Sequence, residues 1–174
     1  MIIKSTSIVA GWFVYVDSLG KSKRLQFDGN PQSSWSSNDG WNTATGITPS
    51  VLSFAYSGTS YPFIAYCFAS KSGYSKVGTY NGSGSANKQI ATGFQPSFLM
   101  IKNITNTGST GWAILDTARG GTTGNGKALF ANLSGSEWTN NTIDIDFTAT
   151  GFTIQNSYVV VNGGSDTYIY LAIA

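Results

Sequence analysis

The feature that most constrains the fold of this 174-residue chain is an internal repeat. The opening block MIIKS returns in mid-chain as LMIKN, and five further blocks follow in the same order in both places. WFVYVDSLG falls over WAILDTARG with a one-residue slip, KRLQFD over KALFAN, Trp35 near Trp138, VLSF over GFTI, and PFIAYCFA over TYIYLAIA. One such match is noise, but six collinear matches over about 70 residues indicate a duplication.

The duplication predicts two units, residues 1–69 and residues 70–174. The second copy has a leader, GYSKVGTYNGSGSANKQIATGFQPS, which precedes its LMIKN strand and has no counterpart in the first copy. Because this leader supplies additional strands, we expect the first unit to lack its N-terminal strands. An incomplete sandwich leaves open sheet edges that template pairing with another chain. We therefore expect neighbours: more of the same chain, a symmetry mate or another subunit.

Alternating apolar and polar residues dominate both copies, and no segment has a convincing helical pattern. Many short strands separated by Gly-, Ser- and Asn-rich turns are typical of sandwiches and barrels. The sequence therefore predicts an all-β fold of two related antiparallel β-sandwich or jelly-roll-like units, the first without its N-terminal strands. The strand candidates are Met1–Ser5, Trp12–Val16, Arg24–Phe27, Val51–Tyr56, Phe63–Ala69, Lys76–Tyr80, Gln89–Thr92, Phe98–Asn103, Trp112–Asp116, Ala128–Asn132, Ile143–Phe147, Phe152–Gln155, Tyr158–Val161 and Tyr168–Ala174.

Composition excludes several function classes. The net charge of +2 is too small to predict nucleic-acid binding. The chain has no His, which removes the usual general base, His-ligated metal sites and a Ser-His-Asp triad. Its single cysteine, Cys67, lies in the apolar run FIAYCFA and is predicted to be a small core residue. No run approaches the ~18 apolar residues of a membrane span, so we expect no membrane insertion.

The carboxylates and the Gly-rich loop give no catalytic constellation. Asp144 and Asp146 share a strand face, which suits either a cation such as Ca²⁺ or simply an exposed face; the second interpretation is favoured. Asp17 and Asp116 recur after the Trp strand of each copy, as turn or cap formers do. GGTTGNGK at 120–127 lacks the Ser/Thr and following helix of a P-loop and predicts a hairpin loop. We therefore predict no enzyme, no catalytic residue, no metal and no cofactor.

The tryptophans are the best candidates for contact residues. Trp12 and Trp112 begin apolar strands at equivalent repeat positions and are predicted to lie in the core. The other three lie in polar surroundings, where an aromatic ring stacks on a sugar while neighbouring polar groups bond its hydroxyls. The alternatives are a Trp that caps the sandwich core or anchors an interface. The candidate glycan or partner contacts are Trp41, Asp39, Asn42, Trp35 and Trp138.

The repeat blocks resemble those of a known group of proteins. GYSKVGTYNGSGSANKQIATGFQPSFLMIKNI, WAILDTARG, DFTATGF and NGGSDTYIYLAIA are similar to a repeat in large structural proteins of marine tailed phages. MIIKS, WFVYVDSLG and YPFIAYCFA resemble the repeat that commonly precedes it there. The resemblance covers nearly the whole chain, and such repeats are usually found near the C-terminal end of tail-fibre-like or other virion proteins.

The resemblance implies a non-enzymatic virion structural module, assembled in the host cytoplasm. Its expected place is a tail fibre or similar appendage that contacts host surface glycans. Its expected partners are other virion subunits, further copies of itself in an oligomer such as a trimer, and a host surface polysaccharide. The alternative is a capsid decoration or cement protein that binds neighbouring shell subunits. A glycan-cleaving enzyme is disfavoured, because the carboxylates are scattered and His is absent.

Overall fold

The computed structural model describes residues 1–27, 33–34, 61–106, 110–120, 126–139 and 141–174. In these ranges the chain forms thirteen β-strands, two helices of four residues each and one 3₁₀ turn. Every strand pairing is antiparallel, in three sheets. The prediction of an all-β, sandwich-like fold is confirmed. The chain divides into an N-terminal unit, Met1–Cys67, and a C-terminal unit, Phe68–Ala174.

The N-terminal unit contains one sheet among its described residues. Its strands lie in the order β4-β3-β2-β1-β5. Ile3, Phe13 and Tyr15 form its buried core, with Phe63 and Ala65 packed against them. The strand bounds are β1 Ile2–Ser5, β2 Phe13–Val14, β3 Lys23–Gln26, β4 Ser33–Ser34 and β5 Phe63–Tyr66, with a 3₁₀ turn at Asp17–Leu19.

The C-terminal unit contains two sheets that enclose one core. A five-stranded sheet has the order β10-β9-β8-β13-β6, and a three-stranded sheet has the order β11-β12-β7. The strands are β6 Ser75–Asn81, β7 Lys88–Ala91, β8 Phe98–Asn103, β9 Trp112–Asp116, β10 Leu129–Phe130, β11 Ile145–Thr148, β12 Gly151–Ile154 and β13 Thr167–Ile173. The helices are α1, Thr117–Gly120, and α2, Val159–Asn162.

The two-residue period of the strands determines which side chains form the core of the C-terminal unit. Alternate residues of the larger sheet, such as Leu99, Ile101 and Tyr170, are buried against Ile90, Phe152 and other residues of the smaller sheet. Phe152 contacts Tyr170 edge to face, with ring centroids 5.5 Å apart. Aromatic pairs of this kind hold the layers of a sandwich together.

The two units build the same sheet from the repeated blocks. MIIKS and LMIKN form β1 and β8, the Trp blocks form β2 and β9, and KRLQ and LF form β3 and β10. The last block forms β5 in one unit and β13 in the other. Thus β3-β2-β1-β5 and β10-β9-β8-β13 have the same strand order.

The Cα register is also the same in both sheets. Ile2 pairs with Val14 and Tyr66, while Met100, its repeat equivalent, pairs with Ile114 and Leu171. Val14 pairs with Leu25 as Ile114 pairs with Leu129. These pairings align Trp12 with Trp112 without any slip in the strand, so the one-residue offset is confined to the turn that follows.

Equivalent polar side chains make equivalent bonds. The ammonium of Lys4 donates to the carbonyl of Ala10, and that of Lys102 donates to the carbonyl of Thr110. Ser5 Oγ accepts bonds from the N–H groups of Ser7 and Ile8. Asn103 Oδ1 accepts bonds from the N–H groups of Thr105 and Asn106. The duplication is therefore visible in order, register and turn chemistry.

One strand prediction is wrong. Tyr158–Val161 was predicted as a strand from its valines, but residues 159–162 form the helix α2. The N–H groups of Val161 and Asn162 donate to the carbonyl of Tyr158. The fully buried amide of Asn162 donates to the carbonyls of Ser85 and Asn156 and accepts a bond from the N–H of Ser83. This buried polar anchor overrides the β propensity of valine.

A second prediction is also wrong. Cys67 was predicted to lie in the core, but its side chain is exposed. Cys67 directly follows β5, which among the described strands pairs with β1 alone and has partly buried and exposed side chains in alternation. The candidate strand Val51–Tyr56 lies outside the described residues.

Candidate contact surface

Most of the predicted contact residues lie outside the described ranges. Trp35, Asp39, Trp41 and Asn42 belong to the part of the chain that the structure leaves undescribed. The prediction that they contact a glycan or a partner therefore stays a prediction. Residues 121–125 of the Gly-rich loop also lie outside the described ranges.

Trp138 is described, and its ring packs against the core of the C-terminal unit. It contacts Phe130 edge to face at 4.7 Å between ring centroids, and Tyr158 at 6.2 Å. Its backbone forms an isolated bridge with Ala128 through two hydrogen bonds of 2.9 and 3.1 Å. This geometry agrees with the alternative in which Trp138 caps the core. Its role as a contact residue stays a prediction.

The carboxylate at the end of β9 serves the local structure. Asp116 accepts bonds from the backbone N–H and the Nε of Arg119, at 2.8 and 2.7 Å. Arg119 also forms an ion pair with Glu137 at 3.4 Å. The bond from Arg119 lowers the pKa of the Asp116 carboxyl. Asp116 thus caps the turn into α1, the role that the repeat position predicts.

The acidic pair Asp144 and Asp146 at β11 is electrostatically unfavourable for the fold. Asp144 Oδ1 is buried and has no hydrogen-bond partner in the part of the chain that the structure describes. Burial, followed by the charge of Asp146, raises the pKa of the Asp144 carboxyl. Asp146 accepts a bond from Gln155 Nε2. No group of three or more Cys, Asp or Glu side chains in the described ranges is arranged to hold a metal ion.

The outer side of β5 is the surface that distinguishes the two units. β5 pairs with β1, and none of the strands in the described ranges pairs with its other side. Its equivalent, β13, lies between β8 and β6. Accordingly Ile64 is 49% exposed, whereas its equivalent Ile169 is 4% exposed. Tyr66 is 48% exposed.

An aromatic and cationic cluster lies on the same face as these exposed side chains. Tyr66 stacks on Trp12 with ring centroids 6.3 Å apart, and the ammonium of Lys4 lies 5.7 Å from the Trp12 ring centroid. Such cation–π contacts stabilise modestly at partly exposed sites. Trp112 is 4% exposed and in the core, as predicted, but Trp12 is only partly buried. The burial predicted for Trp12 is therefore only partly correct.

The sequence signal for this surface is the lack of charge in the strand, not an unusual residue type. The run PFIAYCFA has no charged residue in the strand, although a solvent-facing edge strand usually carries one. The aligned block TYIYLAIA forms β13, which lies between β8 and β6.

Among the described helices, none has the length and apolar character that a bilayer crossing requires.

Comparison with known proteins places the chain in a family without a described activity. No curated protein and no solved structure matches the chain. The family model described as "Domain of unknown function (DUF7483)" matches residues 1–174, the whole chain. The chain is therefore a member of the DUF7483 family.

Proposed function

We propose that this chain is a non-enzymatic structural module of a phage virion. The observation that supports the proposal best is the repeated sheet, built twice with one strand order and one register. Tandem β units of this kind suit a protein whose work is to extend and connect an assembly. The likeness of the repeat blocks to phage structural proteins suggests which assembly.

The described polar side chains mainly support the fold. Asp116 and Arg119 fix a turn, while Asn103 and Asn162 bond to backbone groups of α2 and of turns. A glycan-cleaving enzyme would instead need two carboxylates placed across one bond, one of them protonated. These observations support a binding or structural role over catalysis.

Within this proposal, the module belongs to a tail fibre or appendage that contacts host surface glycans. The contact residues proposed for this role are Trp41, with Asp39 and Asn42 beside it in sequence, and then Trp35 and Trp138. Indole rings stack on sugar rings, and Asp and Asn side chains bond sugar hydroxyls. Homo-oligomers, a trimer in the case of a fibre, would place several such sites side by side.

The second candidate is a capsid decoration or cement protein. The observation that favours it is the outer side of β5, where Ile64 and Tyr66 are about half exposed. Apolar side chains along one side of a sheet suit attachment to a neighbouring subunit. Both candidates share the non-enzymatic virion role and differ in where the module sits.

The proposal is tested by locating the chain in an intact virion by cryo-electron microscopy. Density on the tail or a fibre supports host contact, and density on the shell supports the cement candidate. Absence of the chain from purified virions contradicts both.

Glycan contact is tested separately, with the purified chain and the capsular polysaccharide of the host. Trp41→Ala is expected to weaken binding by about 10-fold, which is on the scale of the ~1–3 kcal/mol that a nucleic-acid base stacked on an aromatic side chain contributes. The matched control is Tyr74→Ala, which removes an aromatic ring that is 58% exposed elsewhere in the chain. Equal affinity of the two variants contradicts the assignment of Trp41.

A further inference from the structure

Trp138 and Tyr158 form an aromatic corner at the margin of the C-terminal core. Trp138 lies beside β10 through its bridge to Ala128, and Tyr158 immediately precedes α2. Their ring centroids are 6.2 Å apart and the ring planes are inclined at 51°, so neither ring covers the face of the other. Both side chains pack against the core and are only partly buried. Each ring therefore has one side against the protein and another at the surface.

The polar atom of each ring is available to a ligand. Neither the indole N–H of Trp138 nor the hydroxyl of Tyr158 has a hydrogen-bond partner in the part of the chain that the structure describes. Among the described side chains, Asp144 Oδ1 is the only buried polar atom without a partner, so the two ring atoms reach the surface. Two donors at the edges of two apolar rings suit a ligand that has both an apolar face and oxygen acceptors.

The charged groups beside Trp138 in the described chain are already paired. The carboxylate of Glu137, which precedes Trp138, lies 3.4 Å from the guanidinium of Arg119. Arg119 also donates to the carboxylate of Asp116 and to the carbonyl of Ile114. This group contains two carboxylates and one guanidinium, so its net charge is negative. An anionic ligand would be repelled, and an uncharged ligand is favoured.

We propose that Trp138 and Tyr158 bind one uncharged sugar unit of a glycan chain. The face of an aromatic ring is the negative part of its quadrupole, so the weakly positive C–H groups of a pyranose stack on it. The indole N–H and the phenol O–H then donate to sugar oxygens. The inference rests on the glycan contact proposed above and deepens it: it adds Tyr158 to Trp138 and limits the ligand to an uncharged sugar.

The protein holds both rings in place before a ligand binds. Phe130 contacts Trp138 edge to face at 4.7 Å, and the two backbone bonds to Ala128 fix the chain at Trp138. On the other side of the corner, the N–H of Tyr158 donates to Asn156 Oδ1 at 3.2 Å. Side chains that are already ordered lose little conformational entropy on binding, so two rings and two donors suffice for a weak, specific contact.

The test uses the full-length chain labelled with ¹⁵N and neutral hexasaccharides of glucose, galactose, mannose and N-acetylglucosamine. The indole N–H signal of Trp138, identified by its loss in Trp138→Phe, should shift saturably with at least one of them. Titration to about 20 mM suffices, because a single ligand of this size reaches a Kd of about 1 mM. Hexagalacturonate, an acidic probe of the same length, should bind at least about 10-fold more weakly than the best neutral probe.

Three results of the titration would overturn the proposal. The first is no shift with any neutral probe, and the second is equal binding of the acidic probe. The third is a shift that follows protein concentration rather than sugar concentration, because it would show that the two rings contact a second copy of the chain.

Single-hydroxyl variants test the residue assignment. Tyr158→Phe keeps the ring that packs on the core and should weaken binding about 3- to 10-fold, the loss expected for one neutral hydrogen bond. Trp138→Phe keeps an aromatic ring beside Phe130 and should weaken binding at least as much. The matched control is Tyr74→Phe, which removes a hydroxyl from a side chain that is 58% exposed elsewhere and should leave the affinity unchanged. If Trp138→Phe does not fold, Tyr158→Phe decides alone, and its unchanged affinity would overturn the proposal.

Failure of this inference differs from failure of glycan contact as a whole. If a neutral sugar binds and Trp41→Ala weakens it while Trp138→Phe and Tyr158→Phe do not, the inference fails and glycan contact stands. If neither these probes nor the capsular polysaccharide binds the chain, both fail.

Discussion

The N-terminal and C-terminal units share four strands and one register, but they differ in what covers the last strand. β13 is covered by β6, and its residues from Tyr168 to Tyr170 are buried. β5 pairs on its inner side with β1, the repeat equivalent of β8, yet its residues Ile64 and Tyr66 are about half exposed. The same sequence block thus reaches different burial in the two units, and among the described strands only β13 has a second neighbour, β6. Burial in this fold depends on strand neighbours as much as on residue type.

The polar positions show the same contrast. Lys102 is fully buried, whereas its equivalent Lys4 is only partly buried. Asn103 bonds to Val159, Asp166 and Tyr168, whereas its equivalent Ser5 serves mainly its own turn. The C-terminal unit has therefore added a buried polar network to a turn that both copies share.

The largest expected effect on stability comes from removing one hydroxyl of the C-terminal unit, at a position where the N-terminal unit has a phenylalanine. Tyr168 O–H donates to the carbonyl of Val159 and accepts from Gly163 N–H, both at 2.7 Å, while its repeat equivalent is Phe63. Tyr168→Phe should lower the free energy of unfolding by about 3 kcal/mol, because it leaves buried groups unpaired. Urea denaturation followed by circular dichroism measures this.

The matched control for that change is Tyr170→Phe. The hydroxyl of Tyr170 has no hydrogen-bond partner among the described residues, so its removal should cost less than about 1 kcal/mol. Equal costs for the two variants would show that the polar network does not distinguish the units.

A smaller effect is expected where β6 meets β13. Gly78→Ala places a Cβ 2.7 Å from the Tyr170 ring and should cost about 2 kcal/mol through overpacking. Adding Tyr170→Ala, which makes the position like Ala65, should remove the cost specific to Gly78→Ala. A double-mutant cycle measures this coupling, and an additive result would contradict the packing assigned to this pair.

The smallest expected effect is the pH dependence of the free energy of unfolding that the buried Lys102 causes. Burial lowers the pKa of Lys102 from 10.5 to about 8. The unfolded chain therefore holds a proton that the folded chain has released between about pH 8 and 10.5, and stability should rise with pH across that window. Lys102→Met should flatten the rise, as measured by urea denaturation at a series of pH values.

The control for the pH series is again Tyr170→Phe, which keeps Lys102 and should keep the rise. Burial raises the pKa of Tyr170, so its titration lowers stability as pH rises and cannot produce the rise. Loss of the rise in this control would therefore contradict the assignment to Lys102. A rise that persists in Lys102→Met would likewise contradict the assignment to Lys102.

Sequence patterns predicted the strands well where the repeat and the period agreed. Phe98–Asn103 and Trp112–Asp116 were predicted with the bounds that β8 and β9 have. The pattern failed at α2, where a buried asparagine rather than residue period decides the backbone. It failed at Cys67, which directly follows β5, because an apolar run does not reveal how many strands flank it; among the described strands β5 pairs with β1 alone.

The candidate site was predicted less well than the fold. Residue chemistry pointed to Trp41 and its neighbours, which lie outside the described ranges, and to Trp138, which packs against Phe130. The side of β5 carries no unusual residue type and becomes visible only by comparison of the two copies. Its signal is positional: an uncharged strand whose equivalent is covered.

The most direct test of the account is amide hydrogen exchange along β5 and β13 in the isolated full-length chain. In β13 the amides of Ile169 and Tyr170 should both exchange slowly, because that strand has a partner on each side. In β5 the amide of Ile64 should be slow, while that of Ala65 should exchange at least about 100-fold faster than Ile64. Protection of Ala65 within about 10-fold of Ile64 would contradict the account, because it would mean that the outer side of β5 is already paired.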